Sequence, residues 1–239
     1  MDLTGKRIVV TGGAGFVGSH LCERLAPDNE VVAVDDLSNG EEAWVPDGVE
    51  LVSGDLTDPD VAAEAITEDV DIVFHFAADK NAARDDVEQF RLNNRLTETV
   101  VTRMDEVDVS NIAFTSSSVI YGEAPRPTPE DYAPLEPISI YGASKLGEES
   151  LLSVYAHSHD FTVWNYRFAN IVGPRLQAGA VIPDFIEKLE EDPETLTILA
   201  ARRSPTCTSR TVSTRWSTSS NTPTGRSTPT TSARARRRR

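Results

Sequence analysis

The chain has 239 residues, room for one large domain or for a nucleotide-binding domain with a small attachment. Apolar residues make up 39% and charged residues 26%, which allows a core and excludes wholesale disorder, and the two cysteines exclude a disulfide scaffold or a Cys-rich zinc site. Residues 1–200 hold all 38 acidic residues against 13 of the 23 basic ones, a balance of −25. Such a body lacks the basic face that nucleic acid demands, and it suits a halophilic protein whose self-repulsion is screened by concentrated salt. No apolar run approaches the roughly 20 residues of a membrane span. The charged start Met1-Asp2-Leu3-Thr4-Gly5-Lys6 is unlike a signal peptide. A soluble cytoplasmic protein is expected.

The first predicted element is a β-branched strand, Lys6-Arg7-Ile8-Val9-Val10-Thr11, running into Gly12-Gly13-Ala14-Gly15-Phe16-Val17-Gly18. A helix follows, with apolar residues at helical spacing through Leu25. Gly13-x-Gly15-x-x-Gly18 fits the dinucleotide fingerprint, and Gly12-x-x-Gly15-x-x-Gly18 fits a variant of it. Glycine permits the tight turn and the close approach of backbone to a pyrophosphate, and the helix N-terminus supplies N–H groups and a positive dipole. A second strand, Glu30 to Val34, ends at Asp35, 20 residues after Gly15. That is where a carboxylate accepts the ribose hydroxyls of NAD. Val49–Ser53 is a third strand, and the Asp55-Leu56 pair beyond it suits adenine, by hydrogen bond and by packing.

Asp58-Pro59 predicts the start of a helix that runs through Ile66. Asp71 to Phe76 is a fourth strand, nearly all apolar, and the small residues Ala77-Ala78 close it. His75 lies inside that strand and is expected to be a packed core residue. A helix from about Asp86 to Met104 leads to a fifth strand, Asn111–Thr115. Strands alternating with helices predict an α/β fold with a doubly wound parallel sheet, ligands lying at the carboxyl ends of its strands. The sequence holds no internal repeat and no metal-ligand cluster.

The fifth strand ends in Ser116-Ser117-Ser118-Val119-Ile120-Tyr121-Gly122, and Tyr141-Gly142-Ala143-Ser144-Lys145 opens a helix to about His157. Tyr141 and Lys145, four apart, share a helical face. A phenol of pKa near ~10 is a poor base at neutral pH. An adjacent ammonium and an oxidised nicotinamide both favour its phenolate. With a serine hydroxyl on the same substrate oxygen, the set suits removal of a proton from an alcohol while hydride leaves its carbon.

These motifs resemble the extended short-chain dehydrogenase/reductases of the sugar-nucleotide epimerase/dehydratase group, in a UDP-glucose 4-epimerase-like pattern. The matching runs are TGGAGFVGSH at 11–20, VDDLSNG at 34–40, GDLTD at 54–58, HFAADK at 75–80, LNN at 92–94, TSSSVIYG at 115–122, YGASK at 141–145 and RFANIVGPR at 167–175. The resemblance implies a Rossmann fold, NAD as cofactor and Tyr141 as general base and acid. It implies that Lys145 holds the nicotinamide ribose and lowers the Tyr141 pKa, and that Ser117 is the substrate-oxygen partner. Gly12, Gly15, Phe16, Val17, Gly18, Asp35, Asp36, Asn39, Asp55, Leu56, Phe76, Ala77, Lys80 and Asn94 are implied to line the cofactor site, and Asn170 to face a nucleotide sugar. Arg167, after an apolar strand, is expected to be structural. Dehydratases of the group place an Asp-Glu pair after the residue equivalent to Ser117. Here Ser118 and Val119 stand there, which favours epimerisation by transient oxidation at a sugar carbon. A related nucleotide-sugar oxidoreductase, dehydratase or decarboxylase, or an NAD-binding module without catalysis, is the alternative. Pairing into a homodimer is likewise implied by the resemblance alone.

The chain is expected to divide into a cofactor domain at 1–168, the start of a substrate-binding part at 169–200 and a disordered tail at 201–239. In the tail 28 of 39 residues are Ser, Thr or Arg and none is acidic. An arginine-rich tail can be a nucleic-acid arm. A shifted reading frame explains more. Thr codons begin AC and Ser codons can begin TC, and one base upstream these end codons for Asp, Asn, His, Tyr and for Val, Ile, Leu, Phe. One back-translation of residues 204–234 is acidic, has helical apolar spacing, and ends in a Tyr-Asn-Leu-Gly turn. A frameshift close to residue 200 is the expectation, with much of the substrate-binding part lost to it.

Overall fold

A computed structural model describes residues 2–80, 86–169, 171–176, 181–191, 195–200 and 210–215. Strand β1 (Arg7–Thr11) passes through the glycine turn into helix α1 (Phe16–Leu25), and β2 (Glu30–Asp35) follows. Then come β3 (Glu50–Ser53), α2 (Pro59–Ala65), β4 (Ile72–His75), α3 (Val87–Glu106), β5 (Asn111–Ser117), α4 (Ile140–Ser158) and β6 (Thr162–Phe168). The six strands form one sheet in the order β3-β2-β1-β4-β5-β6. Every pairing is parallel, with Val9 opposite both Val32 and Val73. The strand order reverses between β1 and β4, the switch point where a doubly wound sheet opens a crevice beyond its carboxyl ends. The predicted doubly wound parallel sheet is therefore the observed one, and each of its first five strands lies within two residues of its predicted span.

Alternation along the strands buries both faces of the sheet. Val9, Val32, Val34, Val73, Ile112 and Phe114 point to the side covered by α2, α3 and α4. Ile8, Val10, Val31, Ala33, Ile72 and Ala113 point to the side where Cys22 and Leu25 of α1 pack. Helix starts follow the local chemistry. Asp58 accepts from the Asp60 amide with Pro59 at the first position, Asp86 accepts from the Gln89 amide, and Ser139 accepts from the Gly142 amide. The contact between α3 and α4 is unusual in being polar at one end. Gln89, Asn93 and Thr97 of α3, spaced four apart, are buried with Ser144, Lys145 and Glu148 of α4.

The chain divides into residues 1–177 and 178–239. The second part contains α5 (Val181–Glu191) and an antiparallel pair, β7 (Thr195–Ala200) with β8 (Arg210–Arg215). Strand β8 lies inside the segment whose composition predicts disorder, and its Thr-Val-Ser-Thr run has the β-branched content that a strand favours. The rest of 201–239 lies outside the described residues.

Candidate active site

The glycine turn is built by exclusion of side chains. Gly12 has φ +68°, and a Cβ there would stand 2.9 Å from the Ala77 nitrogen. The end of β1 thus lies directly against the end of β4. A Cβ on Gly18 would come within 2.1 Å of the Gly12 carbonyl oxygen, so the first turn of α1 sits on the loop that precedes it. Gly15 is the N-cap of helix α1, so no side chain caps the helix. The first-turn N–H groups of Phe16, Val17 and Gly18 precede the first intrahelical hydrogen bonds of α1, so they are the donors that the turn has to offer an anion.

Asp35 ends β2 beside that turn. Its Oδ2 accepts from the Ala14 amide at 3.0 Å and its Oδ1 from the Leu37 amide at 2.9 Å. Burial pushes its pKa upward against the pull of those two bonds. The carboxylate therefore braces the turn and still has lone pairs to offer a ribose. Asp36 and Asn39 are exposed on the same loop, Asp36 accepting from the Ser38 amide and hydroxyl. Asp55 is exposed and accepts from the Thr57 amide, while Leu56 is buried in the core with Val34 and Val52. Phe76 and Ala77 are half-buried, their amides donating to Thr11 Oγ1 at 3.1 Å each, and Lys80 is exposed.

At β5, Ser117 Oγ accepts from the Val119 amide at 3.4 Å, opening the 3-10 turn Ser118–Tyr121. A Cβ on Gly142 would stand 3.2 Å from the Val119 carbonyl oxygen. The turn after Ser117 is thus packed onto the first turn of α4, where Tyr141 sits.

Around Tyr141 and Lys145 the electrostatics depart from the sequence expectation. Lys145 is 1% exposed, and its Nζ donates to Glu148 Oε2 at 3.1 Å, with the Phe114 ring centroid at 4.6 Å and that of Tyr141 at 5.9 Å. Burial, and secondarily the Glu148 charge, push the Tyr141 phenol up to about 12. The expectation that Lys145 lowers this pKa is corrected for the chain alone, because burial disfavours the phenolate and the ammonium is paired with a buried carboxylate.

Other expectations fall differently. His75 is fully buried, stacked 5.9 Å from Phe114, and lies between Thr11 Oγ1 at 2.8 Å and Thr97 Oγ1 at 3.0 Å, a packed residue as predicted. Asn94 donates to the Phe90 carbonyl and lies against Gly147 of α4. Its neighbour Asn93, like Gln89, reaches Asp79 in the segment after β4. Asn93 Oδ1 accepts from the Asp79 amide, and its Nδ2 donates to the Asp79 carbonyl and to Ser144 Oγ. Asn93 and Glu148 are absent from the sequence-predicted set. The signal that could have found Asn93 is the polar spacing Gln89, Asn93, Thr97 on an otherwise apolar helix face. Arg167 is structural as expected. It holds Glu149 through two bonds, at 3.0 and 2.8 Å, and Nη1 donates to the Tyr121 hydroxyl and the Glu130 carbonyl. Beyond β6, residues 171–176 are fastened to α1 by Arg175 on Ser19 and Glu23 and by His20 on the Pro174 carbonyl. Asn170 lies outside the described residues.

Residues 8–204 match the sequence profile of the NAD dependent epimerase/dehydratase family. A UDP-glucose 4-epimerase of Azospirillum brasilense is 31% identical over 185 residues, 74% of this chain and 53% of that protein. A crystal structure of a UDP-galactose 4-epimerase is 42% identical with a TM-score of 0.73, covering 79% of this chain and 64% of that one. The UDP-glucose 4-epimerase of Thermus thermophilus in complex with NAD is 34% identical with a TM-score of 0.72, covering 77% of this chain and 63% of that one. This chain therefore spans less than two thirds of the length of each of the three.

Proposed function

Because this chain belongs to the NAD-dependent epimerase/dehydratase family, we propose that it derives from a nucleotide-sugar epimerase of the UDP-glucose 4-epimerase type, with Tyr141 as the acid–base residue. The observation that carries this reading is the meeting of three elements at one end of the sheet. The glycine turn abuts the end of β4, Ser117 ends β5, and the turn after Ser117 packs on the helix that carries Tyr141 and Lys145 one turn apart.

The residues present fit a dinucleotide. Gly12 and Gly18 leave no room for side chains, α1 opens uncapped, and Asp35 closes β2 at hydrogen-bonding depth. When bound, NAD supplies the acceptor for a sugar hydride and the means of its return. Tyr141 takes the proton of the sugar hydroxyl and later restores it, Ser117 holds the same oxygen, and Lys145 serves the ribose. Asp36, Asn39, Asp55, Phe76, Ala77 and Lys80 border the cofactor on this reading. Leu56 and Asn94 serve it indirectly, through the core and the α3–α4 contact. Asn170, which lies outside the described residues, is assigned to the sugar nucleotide by the resemblance alone. The hydroxyl of Ser118 and the side chain of Val119 offer no acid or base for elimination, which favours epimerisation over dehydration.

The same reading takes the protein as cytoplasmic, homodimeric and adapted to salt. It takes residues after about 200 as a shifted frame, in keeping with a family match that ends at residue 204. Two measurements test it. Calorimetry on the chain as given is expected to show NAD binding that Gly12→Ala abolishes. The frame-restored protein, sequenced across codon 200, is expected to interconvert UDP-glucose and UDP-galactose without net NADH, with Tyr141→Phe slowing turnover by at least about 100-fold. Absence of NAD binding, or a turnover indifferent to Tyr141→Phe, refutes the assignment.

A further inference from the structure

A buried row of side chains connects the glycine turn to the Tyr141–Lys145 pair, and its hydrogens can be placed. Thr11 Oγ1 accepts from the amide of Ala77 and from that of Phe76, which it shares with the Thr11 carbonyl, and this leaves its proton for His75 Nδ1. His75 is neutral, since burial and the Lys145 charge drive its pKa down to about 3, so the ring proton is on Nε2 and is donated to Thr97 Oγ1. The Thr97 hydroxyl in turn donates to Glu148 Oε2 at 2.9 Å, the oxygen that also accepts from Lys145 Nζ. Every donor in the row points toward Glu148. Its carboxylate is thereby favoured in a place where burial opposes charge.

Among the described residues the groups facing this pair are few. Helix α4 offers Tyr141, Lys145 and Glu148, and β4 offers His75. From α3 come the neutral Gln89, Asn93 and Thr97, and from β5 the Phe114 ring. Glu149 is turned away to Arg167, which also binds Tyr121.

We propose that Glu148 is the positioning residue of the Tyr141–Lys145 pair, fixing the Lys145 ammonium in the α3–α4 contact and setting how much of its charge reaches the Tyr141 phenol. The inference rests on the roles given above to Tyr141 and Lys145. It goes further in making the row from Thr11 to Glu148 the support that ties those residues to the cofactor turn. With Glu148 in place, the lysine forms a neutral pair with it, and the phenol keeps its proton in the absence of cofactor. Replacing the carboxylate by an amide of the same shape leaves the ammonium uncompensated beside the ring, which favours the phenolate.

The test is the ionisation of Tyr141, read as the phenolate absorbance of the full chain minus that of the Tyr141→Phe chain, without cofactor or sugar. The parent is expected to keep Tyr141 as a phenol at about pH 11. In Glu148→Gln the midpoint is expected at least about one unit lower, a tenfold change in the proton concentration at half-ionisation. Glu148→Asp, which keeps the charge, is expected to stay with the parent. Coincident midpoints for Glu148→Gln and the parent overturn the proposal. If Glu148→Gln does not fold, the parent decides alone, because a Tyr141 midpoint below the ordinary phenol value overturns it equally. Loss of NAD binding in calorimetry refutes the functional reading and leaves this titration unaffected, so the two failures are distinguishable.

Discussion

His75 shows how a single buried side chain carries both structure and pH dependence. Its folded pKa is about 3 against an ordinary value of 6.5, so between those values the unfolded chain binds the extra proton. The stability it contributes is complete above about pH 6.5 and is lost as pH falls toward 3, with a slope of about 1.4 kcal/mol per unit. His75→Asn is expected to cost about 1–3 kcal/mol at pH 7 through lost hydrogen bonds. The gap to the parent is expected to narrow on acidification, as read by urea unfolding at a series of pH values; a gap that does not change with pH contradicts the buried neutral ring. Gly12 is the second residue where geometry dictates identity. Its positive φ and the 2.9 Å approach to the Ala77 nitrogen lead us to expect that Gly12→Ala destabilises by about 2 kcal/mol or more, measured by the same unfolding.

At the scale of elements, Arg167 on β6 ties three segments together. It pairs with Glu149 of α4, which is 8% exposed at the side chain, and it holds Tyr121 and the Glu130 carbonyl in the connection between β5 and α4. Removing the guanidinium leaves Glu149 without its charge partner, and the partial exposure of Arg167 moderates the cost. Arg167→Met is expected to lower stability by about 1–3 kcal/mol. Amide exchange across residues 122–139 is expected to quicken, and protection there equal to that of the parent would count against the clamp. The α3–α4 contact obeys the same logic with higher stakes, because its polar members are buried and two bonds, Asn93 to Ser144 and Thr97 to Glu148, cross between the helices.

Over the whole molecule, charge dominates. The balance of −25 in residues 1–200 leaves the folded body self-repelling at low ionic strength. Raising KCl from about 0.1 M to about 2 M, which shortens the screening length to a few ångströms, is expected to raise the melting temperature. A melting temperature that falls or stays level over that range removes the case for salt adaptation. The abrupt reversal of charge and composition after residue 200 is a property of the same scale, visible only when the two parts are weighed against each other.

Much of the fold was legible in the amino-acid order because its signals are local. β-Branched runs, the glycine turn, Asp58-Pro59 and the Tyr141/Lys145 spacing each report on a few neighbouring residues, and the parallel sheet follows from their alternation. The partners of the buried polar groups were not legible. Thr97 and Glu148 stand 51 positions apart, as do Asn93 and Ser144, and Thr11 and His75 stand 64 apart. Nothing local distinguishes a glutamate paired in the interior from one in solvent. Hydrophobic periodicity determined which faces turn inward. Only the tertiary packing decided that the Lys145–Glu148 pair of α4 is closed off from solvent, that Asn93 rather than Asn94 reaches Asp79 beyond β4, and that Leu56 joins the core, because a buried polar group takes its role from the partner that removes the cost of its burial.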